Sequence, residues 1–313
     1  MDLNIGVLMG GNSSEREISL KSGEAVYKAL KQEGYRVEKI KIGKGQRANV
    51  IKKEEIAIQI KKSGINFAFI VLHGGFGENG GIQRLLEELS IPYSGSGVLP
   101  SQRAIDKSLS KEIFGRNKIP VPKYKILEES FCKENLNFLI KKLNFPLVVK
   151  PISQGSSIGI SIVDNLQVLI KAISIAFKYD KHIIVEEYIN GKEVTVGILG
   201  EKSLTPISLV SKNRFYDYSA KYEFGMTEYL LPAPLPKKVS VCVQKIALDA
   251  YLALGCSVFG RVDLMLNKKN QCFVLEVNTI PGFTEISLLP KAAEAEGICF
   301  NKLCRKIVEL SIR

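Results

Sequence analysis

Short apolar runs alternate with stretches in which apolar residues recur every three or four positions. Residues 3–9 form an apolar run that ends at Gly10-Gly11, which predicts a strand. Ser13 or Ser14 then caps a helix over residues 15–33. Residues 37–42 predict a second strand, 52–63 a polar helix and 67–72 a third strand. The glycine-rich residues 73–81 open a helix over 81–89. Such alternation predicts a parallel sheet with helices on both faces, and such sheets bind ligands at the carboxyl ends of their strands. This unit ends near residue 95.

The pattern then changes. A helix around Lys107 leads into the proline-punctuated connector 119–124. A helix at 134–143, strands at 146–150 and 159–163, a helix at 165–177 and a strand at 182–189 describe a small α+β unit. After Gly191, strands at 193–200 and 203–210 read as antiparallel, followed by a tyrosine-bearing loop and a helix at 237–254. Strands at 258–266 and 272–278 precede a helical C-terminus that starts near Ser287. The predicted fold class is α/β followed by α+β, and 313 residues suit two or three domains.

Composition narrows the function. No segment approaches the roughly 20 apolar residues of a membrane span, and the N-terminus lacks the features of a signal peptide, so the expected compartment is the cytoplasm. The six cysteines form no C-x-x-C pair and read as buried thiols. Two histidines, His73 and His182, are too few for a zinc cluster. The net charge of +12 favours an anionic ligand. The lysines are dispersed without interleaved aromatics, which argues against nucleic acid.

Chemistry concentrates in the last strand pair. Alternation puts Arg261 and Asp263 on one face, opposite Val262 and Leu264. It puts Glu276 and Asn278 on one face, opposite Phe273, Leu275 and Val277. A turn at 267–271 makes the pair a hairpin, so one surface carries all four polar groups. Two carboxylates and an amide oxygen suit magnesium, and a solvent face with an Arg–Asp ion pair is the alternative. Downstream, Pro281-Gly282 sets a tight turn and Ser287 sits where a helix starts, a site suited to a carboxylate. Lys150 ends a strand ahead of Gln154–Gly159, where an ammonium and loop amides can grip a polyphosphate or the lysine can simply reach water. Glu186 and Glu187 lie in the strand 182–189 and Glu193 beyond its exit; they can accept from a ribose or an amino group, with a plain surface charge as the alternative for one of them.

Three motifs compete. Residues 75–80 match G-x-G-x-x-G but lack the acid about twenty residues on that a dinucleotide site needs. Residues 155–159 match a G-x-S-x-G nucleophile elbow at Ser157, with His182 downstream. Gly43-Lys44 and Gly191-Lys192 lack the upstream glycine of a Walker loop.

The ordered motifs GGNSSEREISLKSG, HGGFGENG, IDKSLSK, KPISQGSSIG, VEEYINGKEVTV, YDYSAKY, GRVDLML and LEVNTIPGFTEISLLP resemble the D-alanine:D-alanine ligase family of the ATP-grasp group, over the whole chain. The resemblance implies domains near 1–95, 96–186 and 187–313. It implies that Lys107 and Lys150 contact ATP phosphates under a loop that includes Ser156 and Ser157. Glu186, Glu187 and Ile189 would border the adenine, Glu193 the ribose, and Lys221 would approach the γ-phosphate. Asp263, Glu276 and Asn278 match the ligands of two Mg2+ ions, for which Mn2+ can substitute. Glu15 would anchor the first ammonium group, with Ser156 and Tyr222 as its partners. Arg261 and the Gly282 N–H would stabilise an oxyanion, and Ser287 with the Leu288 N–H would hold the second carboxylate near His73. The implied reaction makes D-alanyl-D-alanine from two D-alanines and ATP in a homodimer. Asn79 and Ile286 depart from the family pattern, which has aspartate and often histidine there. Another ATP-grasp carboxylate–amine ligase, using D-lactate or an L-amino acid, is the alternative.

Overall fold

The computed structural model describes residues 2–43, 53–130, 136–211 and 227–312. The first sheet joins β1 (Asn4–Gly10), β2 (Arg36–Ile42) and β3 (Phe67–Ile70) in parallel, in the order β2-β1-β3. Its helices are α1 (Arg16–Gln32), α2 (Lys53–Ser63), the single turn α3 (Gly75–Glu78) and α4 (Gly81–Glu88). All of β1 is buried because both of its faces are covered. Ile5, Val7 and Met9 pack with Val26, Ala29 and Leu30 of α1, whereas Leu8 packs with Ile56 and Ile60 of α2 and Leu85 of α4. The expected serine cap on α1 is not made. Glu15 occupies the cap position with no side-chain cap bond. The Ser13 hydroxyl instead donates to the His73 carbonyl (2.6 Å) and accepts from the Glu15 N–H (3.2 Å), tying two loops together.

Helices α5 (Val98–Ile105) and α6 (Lys107–Arg116) lead to β4 (Tyr124–Glu128). The sequence pattern did not predict α5 or β4. Tyr124–Glu128 buries only Leu127, so its alternation is weak. The Asp106 carboxylate caps α6, accepting from the Ser108 and Leu109 N–H groups. Then come α7 (Leu136–Leu143), β5 (Leu147–Pro151), β6 (Ser161–Val163), α8 (Leu166–Ala176) and β7 (His182–Glu187). These strands form an antiparallel sheet in the order β4-β7-β5-β6. Leu147 and Val149 of β5 and Ile183 and Val185 of β7 pack under α7 and α8. The alternation therefore turns Lys150 and Glu186 to the opposite face.

The third sheet holds β8 (Gly191–Leu199), β9 (Lys202–Ser203), β10 (Ile207–Ser211), β11 (Thr227–Leu230), β12 (Phe259–Asn267) and β13 (Cys272–Asn278). The order is β11-β10-β8-β12-β13, with β9 beside β8. One face packs on α9 (Lys237–Ala253) and on Ala104 and Phe114 of α5 and α6. The closing helices α10 (Leu288–Ala295) and α11 (Phe300–Ser311) return to the first sheet, where Leu303 and Ile307 join the core of Ile5 and Val7.

Among the described residues, no helix is long and apolar enough to cross a membrane. Cys256, Cys272 and Cys304 are buried free thiols, but Cys242 and Cys299 are exposed, against expectation. Cys242 points outward from α9 and Cys299 stands at the cap of α11. Cys132 lies outside the described residues.

Candidate active site

The register of β12 and β13 pairs Arg261 with Asn278 and Asp263 with Glu276, so the four polar residues share one surface. A β-bulge follows: Leu264 pairs with Val274, which leaves Leu275 as the extra residue. The expected inward set on β13 is corrected accordingly. Val277 is in the core, but Cys272 and Val274 are there in place of Phe273 and Leu275. Leu275 faces a cavity beside Glu276, and Phe273 pairs with Met265, which lines the same cavity.

This surface is not open to solvent. Arg261 donates from Nε and Nη2 to the two Asp263 oxygens (2.9 and 2.7 Å), and the Thr195 hydroxyl adds a bond to Oδ1 (2.6 Å). Asp263 is only 7% exposed. The Arg–Asp ion pair of the alternative reading therefore exists, but inside a cleft. Lys107 Nζ stands 3.5 Å from Glu276 Oε2, and Asn278 Oδ1 accepts from the Ile280 N–H (2.9 Å).

Two cavities meet here. One, of about 900 Å³, is lined by Glu15, His73, Ser156, Arg261, Asn278, Gly282, Ser287 and Leu288. The other, of about 490 Å³, is lined by Lys150, Ser157, Glu186, Glu187, Ile189, Glu193 and Asp263. Lys107 and Glu276 line both. Lys221 and Tyr222 lie outside the described residues.

The loop after β5 closes over this junction. Lys107 Nζ donates to the Gln154 carbonyl (2.7 Å), and the Ser156 hydroxyl donates to Glu15 Oε1 (2.5 Å) across 141 residues of sequence. Ser156 and Ser157 both adopt left-handed backbone, with φ of 52° and 60°. A non-glycine residue there is strained by roughly 1–2 kcal/mol. Bonds to distant residues, from Ser156 to Glu15 and from Lys107 to Gln154, act against that strain.

At the floor of the second cavity, Glu186 is gripped by two lysines: Lys150 at 2.5 Å and Lys111 at 2.9 Å. Lys150 does not reach out to water. Burial alone would raise the Glu186 carboxyl, but Lys111 and Lys150 outweigh it and hold it at about 2. Burial pushes the Lys111 ammonium down, opposed by Glu186.

In the first cavity, His73 Nδ1 lies 3.0 Å from the Ile280 carbonyl, which can only accept, so Nδ1 carries the proton. Nε2 then accepts from Ser22 Oγ at 3.4 Å. Burial lowers the His73 pKa, which keeps the ring neutral. Ser287 stands at the cap of α10, with its hydroxyl accepting from the Thr284 N–H (3.0 Å).

Sequence reasoning missed Glu78 and Lys111. Burial and the nearby Glu15 push the Glu78 carboxyl up to about 8. Glu78 sits within the glycine-rich motif read as a failed dinucleotide fingerprint; an acid held among glycines was the available signal. The hydrolase reading gains nothing: His182 starts β7 opposite Glu128, half-exposed, and lines neither cavity.

The oxygen donors of Asp263, Glu276 and Asn278 fit a hard divalent cation. Among the described residues no three His, Cys, Asp or Glu side chains cluster as a metal site, and here the third oxygen is an amide.

Comparison with known proteins agrees across the chain. The family described as D-ala D-ala ligase C-terminus matches residues 113–309, and D-ala D-ala ligase N-terminus matches 4–59 and 46–96. The D-alanine–D-alanine ligase of Geotalea uraniireducens is 45% identical over 97% of this chain and 94% of its own length. That of Carboxydothermus hydrogenoformans is 45% identical over 99% and 98%. Among solved structures, the Bacillus anthracis D-alanine–D-alanine ligase complexed with ATP superposes with a TM-score of 0.86 at 37% identity, covering 99% of this chain and 98% of that one. The VanG D-Ala:D-Ser ligase of Enterococcus faecalis gives 0.85 at 31%, covering 99% and 100%. The fold is the ATP-grasp fold, and the chain belongs to the D-alanine–D-alanine ligase family.

Proposed function

We propose that the protein joins two D-alanine molecules into D-alanyl-D-alanine, a peptidoglycan precursor, and converts ATP to ADP and phosphate. The observation that carries this reading is the meeting of two cavities at Lys107 and Glu276, with Arg261, Asp263 and Asn278 beside the junction. ATP occupies the smaller cavity and both amino acids the larger. Three parts, near residues 1–95, 96–186 and 187–313, contribute to the cleft.

Lys107 and Lys150 contact the phosphates, Glu186, Glu187 and Ile189 the adenine, and Glu193 the ribose. Glu15 takes the first ammonium group. Ser287 and the Leu288 N–H, at the start of α10, take the second carboxylate. A carboxylate oxygen of the first D-alanine attacks the γ-phosphorus as its bond to ADP breaks, giving an acyl phosphate. The second amine attacks the acyl carbon, and phosphate leaves from the tetrahedral adduct. Arg261 and the Gly282 N–H stabilise the oxyanion of that adduct. The loop bonded from Ser156 to Glu15 keeps water from the acyl phosphate. Asp263, Glu276 and Asn278 would hold magnesium, or manganese in its place, which screens charge on the phosphate oxygens when bound. A cytoplasmic homodimer completes the proposal.

The VanG neighbour acts with D-serine by its name, which makes the second substrate the point to test. ADP release is measured with D-alanine, L-alanine, D-serine and D-lactate. D-Alanine alone supports efficient turnover on this reading; equal turnover with D-serine or D-lactate overturns the assignment.

A further inference from the structure

We propose that Lys111 is a positioning residue for the nucleotide: from behind the cavity wall it holds the Glu186 carboxylate in place while Lys150 turns to the phosphates. The inference rests on the smaller cavity being the nucleotide chamber.

Glu186 offers one oxygen to each lysine: Oε1 lies 2.5 Å from Lys150 Nζ and Oε2 2.9 Å from Lys111 Nζ. The three residues are only 5%, 1% and 2% exposed for Lys150, Lys111 and Glu186. Their positions differ. Lys150 and Glu186 line the cavity, whereas Lys111 does not. Lys111 reaches Glu186 from α6, with its ammonium 5.2 Å from the centre of the Tyr124 ring. Tyr124 is the residue paired with Glu186 between β4 and β7. Lys111 thus contacts Glu186 and the strand paired beside it, without lining the cavity.

Lys150 has two claims on it. In this structure it neutralises Glu186, and polyphosphate binding draws its ammonium away. A buried carboxylate stripped of its only cation is strongly disfavoured. With Lys111 on the other oxygen, Glu186 stays ionised and fixed when Lys150 leaves, and remains an acceptor for an amino group on the base. Two lysines against one carboxylate also leave the floor of the chamber with an excess positive charge, suited to a polyanion. The depressed Glu186 pKa, about 2, accords with two cations acting on one acid.

The test measures ATP affinity without amino acid, together with KM and kcat, on full-length Lys111→Met, Lys111→Arg, Lys150→Met, Glu186→Gln and Lys111→Met/Glu186→Gln. Lys111→Met keeps the apolar stem and removes the charge. It weakens ATP at least tenfold and changes the KM for D-alanine less than twofold, and Lys111→Arg recovers most of the loss. In the Glu186→Gln background, removing Lys111 changes ATP affinity less than threefold, because no carboxylate remains to hold. Wild-type ATP affinity in Lys111→Met, or an equal loss in both backgrounds, overturns the proposal. If Lys111→Met does not fold, the comparison of Glu186→Gln with the double variant decides alone: a further loss above threefold overturns it. If Glu186→Gln and Lys150→Met both leave ATP affinity unchanged, the nucleotide chamber itself is misplaced and the proposal falls with it. If they weaken ATP while Lys111→Met does not, only the role of Lys111 falls.

Discussion

Replacing Ser156 tests the closure of the loop after β5. Its hydroxyl donates to Glu15 Oε1 at 2.5 Å, and Ser156 is 9% exposed. A hydrogen bond to a charged group contributes about 1.5–3 kcal/mol. That offsets part of the left-handed strain, roughly 1–2 kcal/mol at each of Ser156 and Ser157. Ser156→Ala removes the bond and keeps the strain, so the closed loop loses about 2 kcal/mol, which is roughly 30-fold in population. Ser156→Gly removes the same bond but relieves the strain at one residue, which leaves a deficit of about 1 kcal/mol, or roughly fivefold. A coupled assay of ADP release reads kcat/KM for D-alanine, and thermal melting checks that both variants are folded. The expected order is wild type, then Gly, then Ala. Activity of Ser156→Ala within twofold of wild type, or a Gly variant worse than Ala, shows that this bond does not hold the loop closed.

Other outcomes follow from the same contacts. Glu186 has a folded pKa of about 2, below its unfolded value of 4.5, so its stabilisation is complete above pH 4.5 and lost as pH falls towards 2. The urea stability gap between wild type and Glu186→Gln is then widest above pH 5 and shrinks on acidification; a pH-independent gap contradicts this. Glu78 has a folded pKa raised to about 8, so the metal-free, substrate-free protein loses stability as pH rises from 4.5 to 8, where the unfolded chain ionises and the native acid does not. Glu78→Gln flattens that slope, and an unchanged slope in urea titrations counts against the buried neutral acid. On the proposed magnesium role, Glu276→Gln lowers kcat on the order of 10²-fold and raises the magnesium concentration needed for half-maximal rate; an unaltered magnesium dependence contradicts that role. A Cβ on Gly191 would lie 1.7 Å from the Leu266 carbonyl oxygen, so Gly191→Ala destabilises by at least about 1–3 kcal/mol, read as a lower urea midpoint.

Much of the fold was legible because its signals are local. The buried run of β1 and the two-residue period of β12 follow from which faces are covered. The shared surface of Arg261, Asp263, Glu276 and Asn278 could be drawn from alternation and one turn. The bulge at Leu275 could not, because an extra residue in a strand has no local signature, and it moved Leu275 to the cavity side. Strand β4 starts within the predicted connector 119–124: prolines precede it and its exposed edge lacks a clean apolar face.

The site's individual contacts were less legible. The Glu15–Ser156 bond spans 141 residues, and only the family resemblance brought that pair together. The partners of Lys111 are remote too: the register of β4 and β7 sets Tyr124 beside Glu186, and Lys111 meets both from α6. A lysine on an otherwise ordinary helix looks solvated until that register is known. Glu78 was hidden differently, since burial and a neighbouring acid set its chemistry while its sequence context suggested a nucleotide turn.

One cleft couples ATP cleavage to peptide bond formation between two D-alanines. Quantifying ADP and D-alanyl-D-alanine together, with D-alanine or L-alanine and with or without Mg2+, tests this coupling. The coupling gives one ADP per dipeptide, with turnover only when D-alanine and Mg2+ are both present. Dipeptide formed equally from L-alanine, or ADP released at full rate without any amino acid, contradicts it.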